Sequence, residues 1–270
     1  MQKVLSWSVP NNTEINNENV GSILLHVNPL KTDTAVADIS NLNKIEFGLT
    51  LKRANAEAKT LFDGYLGDFI QFIHGGSTKL ETILEKTSIG YLLNLEFSHA
   101  FNIREIDVLT VKTNFGAPSG AFTSAVLTGS TIVLYTNPSS APNPQNYTAV
   151  YKSFPIPVGE VDYEKHLGTN IAKIMFHAHP SSTFDAVKTA DTDALPLSME
   201  IVADNYAEDK SQVELLANSQ MAIAYNPDSD VKNLVQYESS NILSNVRLKS
   251  KLSKPATTNT KILVTSYKMM

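Results

Sequence analysis

Asn41-Leu42-Asn43-Lys44-Ile45-Glu46-Phe47 returns 129 residues later as Asn170-Ile171-Ala172-Lys173-Ile174-Met175-Phe176. Leu93-Asn94-Leu95-Glu96-Phe97 is echoed by Met221-Ala222-Ile223-Ala224-Tyr225 at an offset of 128, and Thr131-Ile132-Val133-Leu134 by Lys261-Ile262-Leu263-Val264 at 130. Short apolar runs resemble one another by chance. A shared order and a nearly shared offset point instead to an internal repeat. The chain of 270 residues then reads as two halves of one topology, joined at the Pro/Ser/Asn-rich segment Asn137–Asn146.

The repeated unit is built from strands. Ser22–Val27, Lys44–Leu51, Tyr91–Phe97, Thr131–Thr136, Ala149–Phe154, Ala172–His177, Met221–Tyr225, Val246–Leu252 and Lys261–Tyr267 are short and rich in Ile, Val, Leu and aromatics. Ile45, Phe47, Leu49 and Leu51 alternate with polar or small residues. Val246, Leu248, Ser250 and Leu252 alternate with Arg247, Lys249 and Lys251. Such a period of two marks half-buried antiparallel strands. Helical spacing is confined to Ala54–His74, Leu195–Ala207 and, more weakly, Asp230–Leu243, while Glu160–Lys165 reads as a solvated turn. Each half of about 130 residues holds about eight strands of ordinary length. The expectation is an all-β chain with a few short helices, folded as two tandem eight-stranded jelly rolls. Residues 1–19 would be an N-terminal arm, 20–137 the first roll, 138–146 a linker and 147–270 the second roll.

Charge and cysteine content narrow the function. The formal net charge is −5 and only 18% of residues are charged. Neutral Asn and Thr, 23 of each, must therefore carry much of the polar surface. Without a basic block the chain lacks what direct nucleic-acid binding needs. It also lacks the cationic face of a binder of anionic membranes. The absence of cysteine excludes disulfides, thiolate metal sites and a Cys nucleophile. Met1–Val20 has no apolar core of a signal peptide, and no run approaches the ~18 apolar residues of a spanning helix.

No nucleophile elbow, phosphate-binding loop, zinc-protease helix or EF-hand loop is present, and no catalytic residue is expected. His177 and His179, two apart on a strand, would share one face and suit a metal. Cupins add a Glu a few residues later. Here the sequence runs Pro180 to Asp185 without one, and the counterpart of His177 in the first half is Gly48. Asp191 with Asp193, and Asp228 with Asp230, are carboxylate pairs that would suit a structural Ca²⁺ or paired acid and base, but Asp-x-Asp is common in polar loops without either role, and that is the reading taken. The reading is no cofactor and no metal, with His177, His179, Asp228 and Asp230 the weak candidates. Val4, Leu5 and Trp7 form a small apolar anchor in an otherwise polar arm, suited to insertion into a groove or interface.

With these features the chain resembles the double jelly-roll major capsid proteins, and among them the small ones of tailless, corticovirus-like phages with an internal membrane. The resemblance is carried by Leu42–Ile73, Gly90–Val111, Thr131–Asn137, Phe154-Pro155-Ile156-Pro157-Val158-Gly159, Ile171–Phe176 and Met221–Tyr267, nearly the whole chain, in order and spacing. It rests on no invariant motif. It implies a structural protein of the virion, assembled in the host cytoplasm. Homotrimers would form pseudo-hexagonal capsomers of an icosahedral shell over the viral inner membrane, alongside minor capsid and vertex proteins. The competing class is a carbohydrate- or receptor-binding β-sandwich of spike or adhesin type. A single Trp and no aromatic cluster count against it.

Overall fold

A computed structural model of the chain describes residues 1–54, 56–74, 84–139, 147–177, 196–215, 235–258 and 260–269. It divides into two compact units, the first built on Met1–His74 and Leu80–Ala149, the second on Val150–Lys268.

In the first unit the strands are β1 (Gln2–Leu5), β2 (Asn11–Ile15), β3 (Glu18–Leu30), β4 (Glu46–Lys52), β5 (Lys59–Tyr65), β6 (Leu84–Thr87), β7 (Gly90–Ile103), β8 (Val108–Asn114) and β9 (Val126–Pro138). They pair in the orders β1-β9-β3-β7-β6 and β2-β8-β4-β5. In the second unit β10 (Tyr147–Pro155), β11 (Asp162–Gly168), β12 (Ile171–His177), β13 (Pro196–Ala203), β14 (Tyr206–Ser211), β15 (Val235–Leu243), β16 (Val246–Leu252) and β17 (Lys261–Met269) pair as β10-β17-β12-β15 and β11-β16-β13-β14. With β6 set aside as an added edge strand, the two orders are the same. β1, β2, β3, β4, β5, β7, β8 and β9 correspond in turn to β10 through β17. Each unit is an eight-stranded jelly roll of two antiparallel four-stranded sheets.

Strict alternation explains why the sheets close on each other. Ile23, Leu25 and Val27 of β3 are buried with Leu93 and Leu95 of β7 and Ile132 and Leu134 of β9. Phe47, Leu49 and Leu51 of β4 do the same with Leu109 and Val111 of β8. In the second unit Ile174, Phe176, Met199, Ile201, Val246, Leu248, Leu252, Ile262 and Val264 form one core cluster. Burying each such side chain stabilises the fold by about 1.5–3 kcal/mol before the entropy of ordering it. The helix α1 (Leu66–His74) follows β5 and buries Leu66, Phe69, Ile70 and Phe72. Phe69 stacks at ring-centroid distances of 4.9 Å on Phe47 and 5.0 Å on Phe62.

Because successive strands run in alternate directions, connections fall alternately at the two ends of each roll. In the second unit the connections β11–β12, β13–β14 and β15–β16, all at one end, are two residues each. Asn170 and Asn245 hold φ of 58° and 55° in the β11–β12 and β15–β16 turns, which cross from one sheet to the other, a left-handed conformation that Asn tolerates in tight turns. The connections at the other end are long: β12 to β13 runs from His177 to Pro196 and β14 to β15 from Ser211 to Val235. The first unit shows the same polarity. Asn17 (φ 50°) sits in its β2–β3 turn, and the long segment from Leu30 to Glu46 joins β3 to β4.

Several expectations change. Residues 1–19 are not a free arm: they supply β1 and β2, the first strand of each sheet, paired with β9 and β8. Ala54–His74 is helical only from Leu66, because Lys59–Tyr65 pairs with β4 as an edge strand. Leu195–Ala207 is a hairpin: β13 turns at Asp204-Asn205 into β14, and Met199 and Ile201 point inward at strand spacing. From Val235 the third helical candidate is strand β15, and Glu160–Lys165 runs into strand β11. Met221–Tyr225 lies outside the described residues.

The duplicated strand order is present, but of the three matches that made up the sequence repeat one holds, one fails and one, at Met221–Tyr225, lies outside the described residues. Ile132 and Ile262 lie on corresponding strands, β9 and β17, and pair with Val27 and Phe176 of the corresponding strands β3 and β12. Ile45 leads into β4 whereas Ile174 lies in β12, so these two, and Lys44 with Lys173, are not equivalent. Ile174 pairs with Val264 as Leu25 pairs with Leu134. The duplication therefore rests on strand order rather than on a constant offset.

Gly90 is required by its backbone. Its φ is +122°, and an added Cβ would lie 2.5 Å from the Val27 carbonyl oxygen and 2.7 Å from Asn28 Cα. Gly90→Ala should destabilise the first unit by about 2–3 kcal/mol in urea unfolding. Gly120→Ala, with open space around it, should change stability little.

Candidate assembly surfaces

The three residues expected to anchor the N-terminus have different fates. Leu5 pairs with Ile132 and is buried. Trp7 is 4% exposed. It packs edge-on against Phe115 (centroids 5.5 Å, 70°) and Phe122 (6.0 Å, 85°). These two flank the short helix α2 (Pro118–Ala121) between β8 and β9. Asn11 fastens the intervening loop. Its Oδ1 accepts from Ser6 N at 2.8 Å, and its Nδ2 donates to Ser6 O at 2.9 Å and Val9 O at 3.2 Å. Leu5 and Trp7 are thus core residues of their own roll. Val4, 71% exposed, is the member that faces outward. Sequence reasoning missed this because β1 is only four residues long and follows no clear period.

His177 ends β12, opposite Lys261 of β17. His179, Asp191, Asp193, Asp228 and Asp230 lie outside the described residues. Among the described residues, no three His, Asp or Glu side chains are grouped so as to hold a metal ion.

One carboxylate escaped the sequence reading. Asp107, in the β7–β8 turn, is fully buried. It accepts from Arg104 Nε and Arg53 Nη1, each at 2.8 Å, from Ala54 N at 2.9 Å and from Arg104 N at 3.3 Å. The Arg104 guanidinium, against the opposing pull of burial and with help from Ala54 N–H and Arg53, holds its carboxyl well below the usual range. The result is a clasp tying the β4–β5 connection to the β7–β8 turn. In the second roll Tyr206, Glu208 and Tyr237 join the edge strands β14 and β15. Tyr237 Oη donates to Glu208 Oε2 at 2.9 Å and lies 3.1 Å from Tyr206 Oη. Burial, then these hydrogen bonds, push the Tyr237 phenol far up.

The outer faces of the corresponding sheets β2-β8-β4-β5 and β11-β16-β13-β14 are polar and can be compared position by position. Across the second roll, Glu164, Lys249, Glu200 and Asp209 stand in one row. Lys249 Nζ donates to Glu200 Oε2 at 2.9 Å, and Arg247 pairs with Glu164. With Asp162, Ser198 and Lys251 they line an open depression of about 320 Å³. The same row in the first roll reads Asn12, Lys112, Gly48 and Asp63.

Fold and faces together define a tandem double jelly roll, each roll with a polar outer sheet face. No protein-family model and no curated protein matches the sequence. Solved structures with this fold include the STIV MCP at 13% identity and the major capsid protein P2 from bacteriophage PM2 at 10%, both with a TM-score of 0.55. A third is PBCV-1 VP54, fitted into a reconstruction of the virophage Sputnik, at 8% identity and a TM-score of 0.57. Each alignment covers 99% of this chain, and 96%, 97% and 91% of the respective partner. The chain has the double jelly-roll fold of these viral major capsid proteins along its whole length.

Proposed function

We propose that this protein is a major capsid protein, a structural subunit that builds the shell of an icosahedral virion and has no enzymatic role. The observation that carries the reading is the tandem repetition of one eight-stranded jelly roll with the same strand order, over a length shared end to end with major capsid proteins. Two like units per chain let three chains present six like blocks, so a homotrimer is the natural capsomer, a pseudo-hexagonal tile. A surface of Asn and Thr with few charges suits extensive protein–protein contact. By the same reading the shell lies over an internal membrane, is completed by minor capsid and vertex proteins, and assembles in the host cytoplasm. A chain without cysteine is indifferent to that reducing compartment.

The test is the mass of the purified protein in solution, followed by electron microscopy of concentrated samples. A stable trimer of about three times 29.6 kDa that forms sheets or shells is the expected result. A monomer at all concentrations that binds glycans would overturn the proposal.

A further inference from the structure

Resting on that reading, we infer that the outer face of the β1-β9-β3-β7-β6 sheet is the seat of the next copy, covered by the β14/β15 edge of that copy's second roll. Register defines the face. Ile23, Leu25 and Val27 point into the core, so Leu24 and His26 point out of the sheet. His26 stands between Leu92 and Val133, and Val133 is opposite Val4. Leu24 is opposite Tyr135 in the adjacent row. Val4 is exposed, and Leu24, His26, Leu92, Val133 and Tyr135 are half-buried. Aliphatic side chains and a tyrosine on the water side of one sheet form an apolar patch. The outer face of the other sheet of this roll carries Glu14, Glu46, Asp63 and Lys112 instead.

The second roll supplies the comparison. Met175 pairs with Gln236 and Leu263 as His26 pairs with Leu92 and Val133. These three residues alternate with Ile174, Phe176, Tyr237, Ile262 and Val264 of the core cluster, so they too point out of their sheet. Yet all three are buried, Met175 and Leu263 at 1% exposure. That row has its cover within the chain, and the corresponding row of the first roll stays open. In a ring of six like blocks, corresponding faces have corresponding surroundings, so the first roll's row takes its cover from another copy. First and second rolls alternate around the ring, which makes the cover that copy's second roll. The contact is heterologous, a sheet face against a different side of the next block. The two neighbours of a block in such a ring lie about 120° apart, which favours an edge of the roll over its opposite sheet face. Edge strands β14 and β15 lie side by side, joined through Glu208 and Tyr237. Tyr206 on β14, Val213 just past it and Ile242 on β15 are exposed there. Edge strand β11, on the other side of the roll, exposes Glu164, Lys165 and His166. The apolar edge is the one that matches the apolar face.

The experiment reads the trimer by mass in solution, with thermal unfolding as the folding control. Val133→Lys and Leu92→Lys each place a charge in a dry contact and should lower the trimer fraction roughly tenfold. Val4→Asp, at a position too exposed to unfold the chain, should do the same. Thr50→Lys, on the outer face of β4 in the other sheet, should leave the trimer intact. The chain has no cysteine, so introduced cysteines locate the contact cleanly. Val4→Cys with Ile242→Cys in one chain, treated with a short bismaleimide, should give linked dimers and trimers on a denaturing gel. Val4→Cys alone, and Val4→Cys with Lys249→Cys, should remain single chains. If the wild type stays monomeric at all concentrations, the capsid reading fails. If it forms trimers and the folded face variants trimerise equally well, this contact is wrong and the capsid reading stands. Linkage through Val4→Cys alone, or through Lys249→Cys in place of Ile242→Cys, also overturns it.

Discussion

Asp107→Ala should lower the stability of the first jelly roll by about 3 kcal/mol, the scale of breaking a buried ion pair on one side. Two guanidinium groups lose their shared acceptor, and the Ala54 and Arg104 amides lose theirs. The Arg53 side chain is largely buried, whereas Arg104 is mostly exposed and water compensates it. Asp107→Asn keeps the shape without the charge and should lose less. The same carboxylate makes the unit acid-sensitive. Its folded pKa lies below the unfolded value near 3.9, so the stabilisation is fully present above that value and drains away as pH falls below it. Urea midpoints of wild type and Asp107→Ala at pH 7 and pH 3 check this, and the gap between them should narrow at the lower pH.

Trp7→Ala should cost about 3–5 kcal/mol, the range for removing a large aromatic from a packed core. Phe115 and Phe122 would lose their edge-on partner, and the loop after β1 would lose its inner support. The loss should appear as unfolding of the isolated subunit before any defect in assembly. Val4→Asp, at an exposed position, should leave the unfolding temperature nearly unchanged, so any loss of particles in that variant reports a contact between copies. Trp7 is the sole tryptophan, so its emission is a private signal of the first roll: blue-shifted when folded and shifted red on unfolding in urea.

What the sequence disclosed follows from how each element is stabilised. β4 and β16 were legible because one face is core and the other is water, which writes a period of two into the residues. β1, β5 and β14 are edge strands, each held by a neighbour on one side only, and their own residues carry little pattern. β13 was mistaken for a helix because Met199 and Val202, three apart, fit a helical face; pairing with β14 and β16 overrides that spacing. The Asp107 clasp was invisible because Arg53 and Asp107 are 54 residues apart. In sequence Gly48 is matched to His177 of β12, whereas the strand orders make β4, which holds Gly48, the counterpart of β13. The doubled architecture was legible all the same, since the number, brevity and order of apolar runs survive a local misalignment.

The contrast between the two ends of the second roll has a consequence for how such a chain can diversify. Two-residue turns built around Asn170 and Asn245 leave no slack, and an inserted residue there would shift a strand by one position and turn its core side chains to water. The strand ends His177, Pro196, Ser211 and Val235 lie at the opposite end, where many more residues separate successive strands and added chain length costs little. Variation is thereby channelled to a single pole. A lineage can lengthen, shorten or rewrite the sequence between those strand ends, and an engineer can graft peptides there, while the paired strands of both sheets stay constant.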